Sequence, residues 1–255
     1  MYYAADFKRE ALKGLDGNWG KAVGVGFMAG LLGAGTTAVA GGSVSANSGD
    51  IESISELNGV VPTEFQIAYL AILSILGFIA VSFTLLHFII GGAITLGYVK
   101  FNLNLIDNKP ASLNNLFSEF HRFGTAFLMQ FFRGLYTFLW SLLFVIPGIY
   151  ASYGYAMTPY ILLENPDMTA NEAIAKSKEL MDGNRWRLFC LEISFIGWSL
   201  LAALLTCGIG YFWLAPYMEA SFAAFYREIK AEKYGREEKK EEPYEGFYNS
   251  GSYTV

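Results

Sequence analysis

The chain has 255 residues, of which 53% are hydrophobic and 16% charged. A soluble domain carries about 25% charged residues, and here the apolar residues gather in charge-free runs of about 20, the length of a membrane-spanning helix. A water-soluble globule is thereby excluded. The net charge of −5 comes without any basic stripe, so nucleic acid is not a partner.

Residues 6–16 place Phe7, Ala11, Leu12 and Leu15 on one helical face and Lys8, Arg9, Glu10 and Lys13 elsewhere. That spacing predicts a short helix lying on a membrane surface. The phrase DGNWG at 16–20 ends it: Gly17 can turn left-handed, Asn18 can cap the next helix, and Trp19 suits the interface. A first span follows over about residues 19–40, with Lys21 near enough to its end to snorkel. Ala38-Val39-Ala40 has the form of a leader cleavage site, but the residues before the run read as a structured helix, so the segment is expected to be retained.

Residues 41–64 are rich in Gly, Ser and Asn and carry Asp50, Glu52, Glu56 and Glu64 without Lys or Arg. They read as an extracytoplasmic loop. A second span covers about 66–90, its pattern running on to Val99, with Gly91-Gly92 as the expected bend. At 112–121 Ser112 can cap and Leu113, Leu116, Phe117 and Phe120 share a face, a second amphipathic helix. A third span covers about 123–146 and is ended by Pro147-Gly148; a short fourth covers 148–164.

The stretch TANEAIAKSKELMDGNRW at 169–186 opens with a capping box, Thr169 and Glu172. Ala173, Ile174, Ser177, Leu180 and Met181 line one face. Asp182-Gly183-Asn184 breaks the helix and Trp186 enters the membrane. A fifth span covers about 186–206, TCGIG turns the chain, and a sixth covers 209–227. The charged and Tyr-rich stretch 230–255 has no apolar periodicity and reads as a disordered cytoplasmic tail, its Tyr244, Tyr248 and Tyr253 solvated.

The fold class is therefore all-α: a single multi-pass membrane domain over 1–229, with about six transmembrane helices as three hairpins, each preceded by a short amphipathic interfacial helix. The joint is spelled DGNWG, then EFHRFG, then DGNRW. A threefold repeat explains this, but so does the need of any surface helix for a breaker and an interfacial aromatic. Among the 18 Lys and Arg, only Arg133 falls inside a span. Lys8, Arg9, Lys13 and Lys21 flank span one; Lys100, Lys109 and Arg122 lie between spans two and three. Lys176, Lys178, Arg185 and Arg187 lie between four and five, and the rest follow span six. Both termini are then cytoplasmic in a cell membrane.

The elements PGI at 147–149, MDGN at 181–184, SFIGW at 194–198, GIG at 208–210 and PYMEASFAAFY at 216–226, in this order, resemble a bacterial integral membrane family, the domain of unknown function numbered 975. The resemblance covers about residues 6–229 and is weakest across 40–110. It implies a multi-pass membrane protein and brings no activity or catalytic residue. A remoter likeness is to the membrane domain attached to some glycerophosphodiester phosphodiesterases, whose hydrolase part has no counterpart in this sequence.

No phosphate loop, nucleophile elbow or metal-spaced His–Glu pair is present, so neither cofactor nor metal is expected. Cys190 and Cys207 on one helix stand about 25 Å apart, beyond disulfide reach. His121 has no ligand-like neighbours. The ionisable residues inside spans stand out: His87, Arg133, Glu192 and Glu219. Each costs at least about 2.5 kcal/mol to insert and must face the bundle. They form either a polar path or a buried pair that fixes packing, and depth matching pairs Arg133 with Glu219 first and Glu192 second. Pro159 and Pro216, each within the second helix of a hairpin, read as kinks or as breaks that free carbonyls. The function expected is that of a non-enzymatic membrane protein supporting or assembling with envelope components. Its partners would be the lipid bilayer and a membrane protein or second copy. The alternative is a carrier of a small molecule, ion or lipid.

Overall fold

The computed structural model describes residues 3–34, 63–206 and 208–241 and is all-helical, with no strand among them. The helices are α1 (Ala4–Leu15), α2 (Trp19–Leu31), α3 (Thr63–Ile106), α4 (Asn114–Phe117), α5 (Phe123–Leu143), α6 (Val145–Gly154), α7 (Thr158–Glu164), α8 (Ala170–Leu180), α9 (Arg185–Leu205) and α10 (Tyr211–Glu241). Three helical stretches are long and apolar enough to cross a membrane: Ala68–Ile106, Asn114–Leu143 and Arg185–Leu205. Ala38–Ala40, Cys207, Tyr244, Tyr248, Tyr253 and all but the end of the 41–64 loop lie outside the described residues.

The two DGN joints are built as their sequence demands. Gly17 (φ 70°) and Gly183 (φ 76°) are left-handed, and nothing stands within 4 Å of where a Cβ would project from either. Backbone conformation, not space, selects glycine there. Asn18 and Asn184 occupy the cap positions that follow, without side-chain cap bonds. The Thr169–Glu172 box closes in both directions, at 2.8 and 3.3 Å. The backbone hydrogen bond from Thr169, then that of its side chain, holds the Glu172 carboxyl below its usual range.

The amphipathic helices cover protein, where the sequence pattern had placed them on lipid. In α1, Phe7, Ala11 and Leu15 are buried and Leu12 is exposed. Phe7 meets the Phe225 ring edge-on at 5.2 Å. Lys8 donates to the Ser194 carbonyl at 2.8 Å and its Nζ lies 4.0 Å from the Phe195 ring centroid. These partners hold α1 on α9 and α10. Helix α8 buries Ala173, Ile174, Ser177 and Leu180 as its spacing requires, against α5 and α7. The helix expected at 112–121 shrinks to α4 and a 3-10 turn at Phe120–Arg122. Ser112 reaches only the Asn115 side chain, and in α4 only Leu116 is buried.

Helix α3 runs through Gly91-Gly92 without a break. These glycines serve close approach: a Cβ would stand 2.7 Å from the Gly33 carbonyl oxygen at Gly91 and 2.3 Å from that of Ala126 at Gly92. Small residues let helix backbones meet in this way.

Proline redraws the middle of the chain. The turn after α5 falls at Phe144, which is extended (φ −161°, ψ 151°). Pro147 sits in the first turn of α6, where its missing N–H costs nothing. The expected fourth span is two helices: α6 stops at Gly154 and α7 starts at Thr158. A proline ring clashes with the carbonyl four residues back, which for Pro159 is that of Tyr155, where the helix ends. The Gly154 carbonyl instead accepts the buried Ser177 hydroxyl at 2.8 Å. Pro216 lies inside α10, which continues through it.

Helix α10 also continues into 230–241, expected to be disordered. Arg227 bridges Asp107 (Nε–Oδ1, 2.8 Å) and Glu164. Lys230 reaches Glu164 at 2.6 Å, Arg187 reaches Glu232 at 2.7 Å, and Lys233 reaches Glu179 at 2.8 Å. The pairs of Lys230, Glu232 and Lys233 tie the start of the extension to α7, α9 and α8, and Arg227 ties the helix before it to Asp107, just past α3.

Because only backbone conformation constrains Gly183, Gly183→Val should lower stability in detergent by about 1–2 kcal/mol, and Gly183→Asn by less. Thermal melting of both variants checks this; equal losses would remove the left-handed helix end as the cause.

Candidate functional site: a polar cavity between apolar helices

Helix α5 carries a polar stripe at helical spacing: Gln130, Arg133 with Gly134, Thr137 and Ser141. This stripe forms one wall of a cavity of about 830 Å³. His87, Thr84, Phe88 and Thr95 of α3, Gly30 of α2 and the following Gly33 line the cavity. So do Ile149, Ser152 and Tyr153 of α6, Ala156 of the α6–α7 break, and Glu192 of α9. A smaller cavity of about 70 Å³ adjoins it. Thr95, Arg133, Ala156 and Glu192 line both, and Tyr160, Glu219 and Phe222 line the smaller one.

All four ionisable residues singled out in the sequence thus converge. His87, Arg133 and Glu192 face the larger cavity, and Glu219, which is buried, faces the smaller. The direct ion pair expected for Arg133 is not formed. Among the described residues its guanidinium comes within 4.0 Å of no carboxylate oxygen and makes no hydrogen bond. Depth matching brought Arg133 and Glu219 to the same neighbourhood, but two helices that meet across a cavity need not bring their charged ends into contact. Glu192 is engaged elsewhere: it accepts a short hydrogen bond from the Tyr153 hydroxyl.

Three hydroxyl groups of the wall are also engaged. Thr137 donates to the Arg133 carbonyl and Ser141 to the Thr137 carbonyl, both at 2.8 Å, and Ser152 to that of Ile149 at 2.7 Å. Toward the cavity they present lone pairs. Among the described residues, the groups left without a hydrogen bond are the Arg133 guanidinium, the Gln130 amide, the Thr95 hydroxyl and His87, whose Nε2 is enclosed and donates or accepts according to the tautomer. The His87 ring leans on Phe83 at 4.3 Å. Gly33, left-handed at φ 97°, passes so close that a Cβ would stand 2.8 Å from the His87 carbonyl oxygen. Glycine is therefore required at this contact.

Tyr153, Gln130 and the wall hydroxyls were not anticipated. The stripe 130–133–137–141 was legible as a polar face on an apolar helix; Tyr153 carried no such signal, since its partner lies 39 residues on. No group of three or more His, Cys, Asp or Glu side chains fit to hold a metal occurs among the described residues. Pro159, expected inside a helix, borders the smaller cavity from the first turn of α7.

These features define an all-helical protein whose helices are compatible with a membrane setting and which holds a polar cavity among them. Residues 142–233 match the model of a family described as protein of unknown function (DUF975), in agreement with the resemblance carried by the PGI, MDGN, SFIGW and GIG elements. The matched stretch supplies Tyr153, Glu192 and Glu219 to the cavities. His87 and Arg133 come from the chain before it. No curated protein and no solved structure matches the chain.

If Glu192 is held by Tyr153, Tyr153→Phe leaves a carboxylate short of a donor and should cost about 1–3 kcal/mol. Glu192→Gln keeps an acceptor for the hydroxyl and should cost less. Thermal unfolding in detergent distinguishes them, and a larger loss in Glu192→Gln would contradict the assignment.

Proposed function

We propose that the chain is a multi-pass integral membrane protein that binds, and carries, a small polar or amphiphilic ligand in the cavity between α3, α5, α6 and α9. The observation that carries this reading is the convergence of Arg133, Glu192 and His87 on one space of about 830 Å³, within the size range of ligand pockets. Intramembrane ionisable groups face partners or a pathway, and here Arg133 has the cavity instead of a partner. We read the role as binding rather than reaction because the charged group that faces both cavities without a bond is a guanidinium, which holds acceptor groups and does not attack them.

The topology proposed has six membrane-embedded segments in three hairpins with both ends cytoplasmic, supported by the distribution of Lys and Arg. The middle hairpin, α5 with α6, enters to part depth. Arg185, at the start of α9, stacks over Tyr150 at 4.0 Å and lies against Gly154. The turn at Phe144 is then within about 20 Å of that level, against about 30 Å of hydrocarbon. A hairpin returns the chain to the side it left, so the sidedness of the ends does not depend on its depth.

A second reading, assembly with another membrane protein or a second copy, is favoured by α3. Its residues Ile72, Ile75, Phe78, Ile79 and Phe83 are all exposed, more than one face of the helix.

Single cysteines in a background without Cys190 and Cys207 test the topology. An impermeant maleimide should label Ser48→Cys in intact cells. It should label Lys109→Cys and Ile146→Cys only after the membrane is opened. Labelling of Lys109→Cys from outside would reverse the sidedness; labelling of Ile146→Cys as fast as Ser48→Cys would mean a full crossing.

The cavity is tested by filling it. Nothing stands within 4 Å of a Cβ built on Gly134, on the cavity wall, so Gly134→Trp should fold. Small molecules extracted from protein purified out of native membranes should include species present with wild type and at least about tenfold depleted in Gly134→Trp, a binding difference of about 1.4 kcal/mol or more. An identical complement in both would sink the binding reading.

A further inference from the structure

The balance of donors and acceptors in the cavity narrows the ligand. This inference rests on the binding reading above and adds the ligand's chemical class. The charged and titratable groups that face Arg133 from the packed helices are His87 of α3, Tyr153 of α6, Tyr160 of α7, Glu192 of α9 and Glu219 of α10. Glu192 has a donor in Tyr153. Glu219 is confined to the smaller cavity, without a contact to Arg133 inside 4.0 Å. Two charged groups remain without a hydrogen bond among the described residues: the Glu219 carboxylate, which lines only the smaller cavity, and the Arg133 guanidinium, which lines both.

In the larger cavity a group with several acceptor oxygens and a negative charge answers the guanidinium, since Arg presents its planar fork to carboxylate or phosphate above all. The wall hydroxyls of Thr137, Ser141 and Ser152, their protons already donated, would accept from hydroxyls on the same ligand.

The rim adds a second requirement. Phe138, Ile149 and Phe88 line the cavity and are 63%, 51% and 41% exposed. In a membrane their outer faces meet acyl chains, so the cavity opens sideways into an apolar surrounding. A free anion would gain nothing from this rim and would fill a small part of the volume. We infer that the cavity takes the headgroup of an anionic amphiphile, its phosphate or carboxylate on Arg133 and its chains passing Phe88, Phe138 and Ile149 into the lipid.

The test uses the full chain in non-ionic detergent and native mass spectrometry with three probes. These are a phosphatidylglycerol, a phosphatidylcholine with the same chains, and inorganic phosphate. Wild type should prefer phosphatidylglycerol to phosphatidylcholine by about tenfold or more, as expected for a bidentate charge-assisted contact. Inorganic phosphate should bind far more weakly than either.

In Arg133→Gln the preference should fall to near unity with phosphatidylcholine binding unchanged, whereas Arg133→Lys, which keeps the charge but loses the fork, should retain only part of it. Arg9→Gln, on the exposed face of α1, should leave it intact. If Arg133→Gln does not purify as a folded species, the same comparison on Thr137→Glu decides: it sets a carboxylate on the same wall one turn from Arg133, and a reduced preference is expected. Equal binding of the two lipids to wild type, or a preference that survives Arg133→Gln, overturns the inference. Inorganic phosphate binding as tightly as the lipid overturns its amphiphile half. If Gly134→Trp binds all three probes as wild type does, it is the cavity reading itself that fails; if Gly134→Trp loses both lipids alike while wild type shows no preference, only the ligand class is wrong.

Discussion

A guanidinium, two carboxylates and an imidazole stand on four helices, α5, α9, α10 and α3, that are otherwise largely apolar. Such groups need water, a partner or a ligand, and each one left without costs several kcal/mol among hydrocarbon side chains. The arrangement follows from that requirement. Glu192 takes the Tyr153 hydroxyl, while Arg133 faces open space on two sides. A core that packed Phe88, Phe138 and Ile149 together would leave Arg133 nowhere to go. The cavity is the alternative to burying an unpaired charge.

The space is held open by features with other causes. Pro159 ends the ladder of α6 at Tyr155, and the Gly154 carbonyl is then met by Ser177 of α8. The break places Ala156 on both cavities. On the opposite side, Gly92 and Gly97 bring α3 against the carbonyls of Ala126 and Leu116. Any side chain at these two positions would push α5 and α4 away from α3, which carries His87. A proline break and two glycine contacts thus fix the distance between the helices that bear the polar groups.

At the Lys- and Arg-rich end of the bundle, packing gives way to charge. Arg227, Lys230, Asp107 and Glu164 join α10 to α3 and α7, and Arg187–Glu232 and Lys233–Glu179 join it to α9 and α8. Individually such partly exposed pairs contribute little, about 0–1 kcal/mol each. Their effect lies in number and geometry: they hold the first turn of the extension, residues 230–233, against α7, α8 and α9.

The sequence by itself determined what depends on one residue and its chain neighbours. Gly17 and Gly183 had to be left-handed because no other residue type adopts that backbone so readily. Thr169 and Glu172 had to close a box because their spacing permits little else. The helical class followed from charge-free runs of about 20 residues, and the choice of His87, Arg133, Glu192 and Glu219 followed from the cost of charge in those runs. Tertiary structure decided everything that involves two segments. An amphipathic face reads the same whether it meets lipid or protein, so only packing put Phe7 of α1 on Phe225. A glycine pair reads the same as a bend or as a contact, so only the carbonyls of Gly33 and Ala126 showed Gly91 and Gly92 to be contacts. Charges of opposite sign at similar depth read as a pair, yet pairing needs the ends of two side chains within 4.0 Å. Helix-to-helix spacing, which no local pattern encodes, left Arg133 facing a cavity instead.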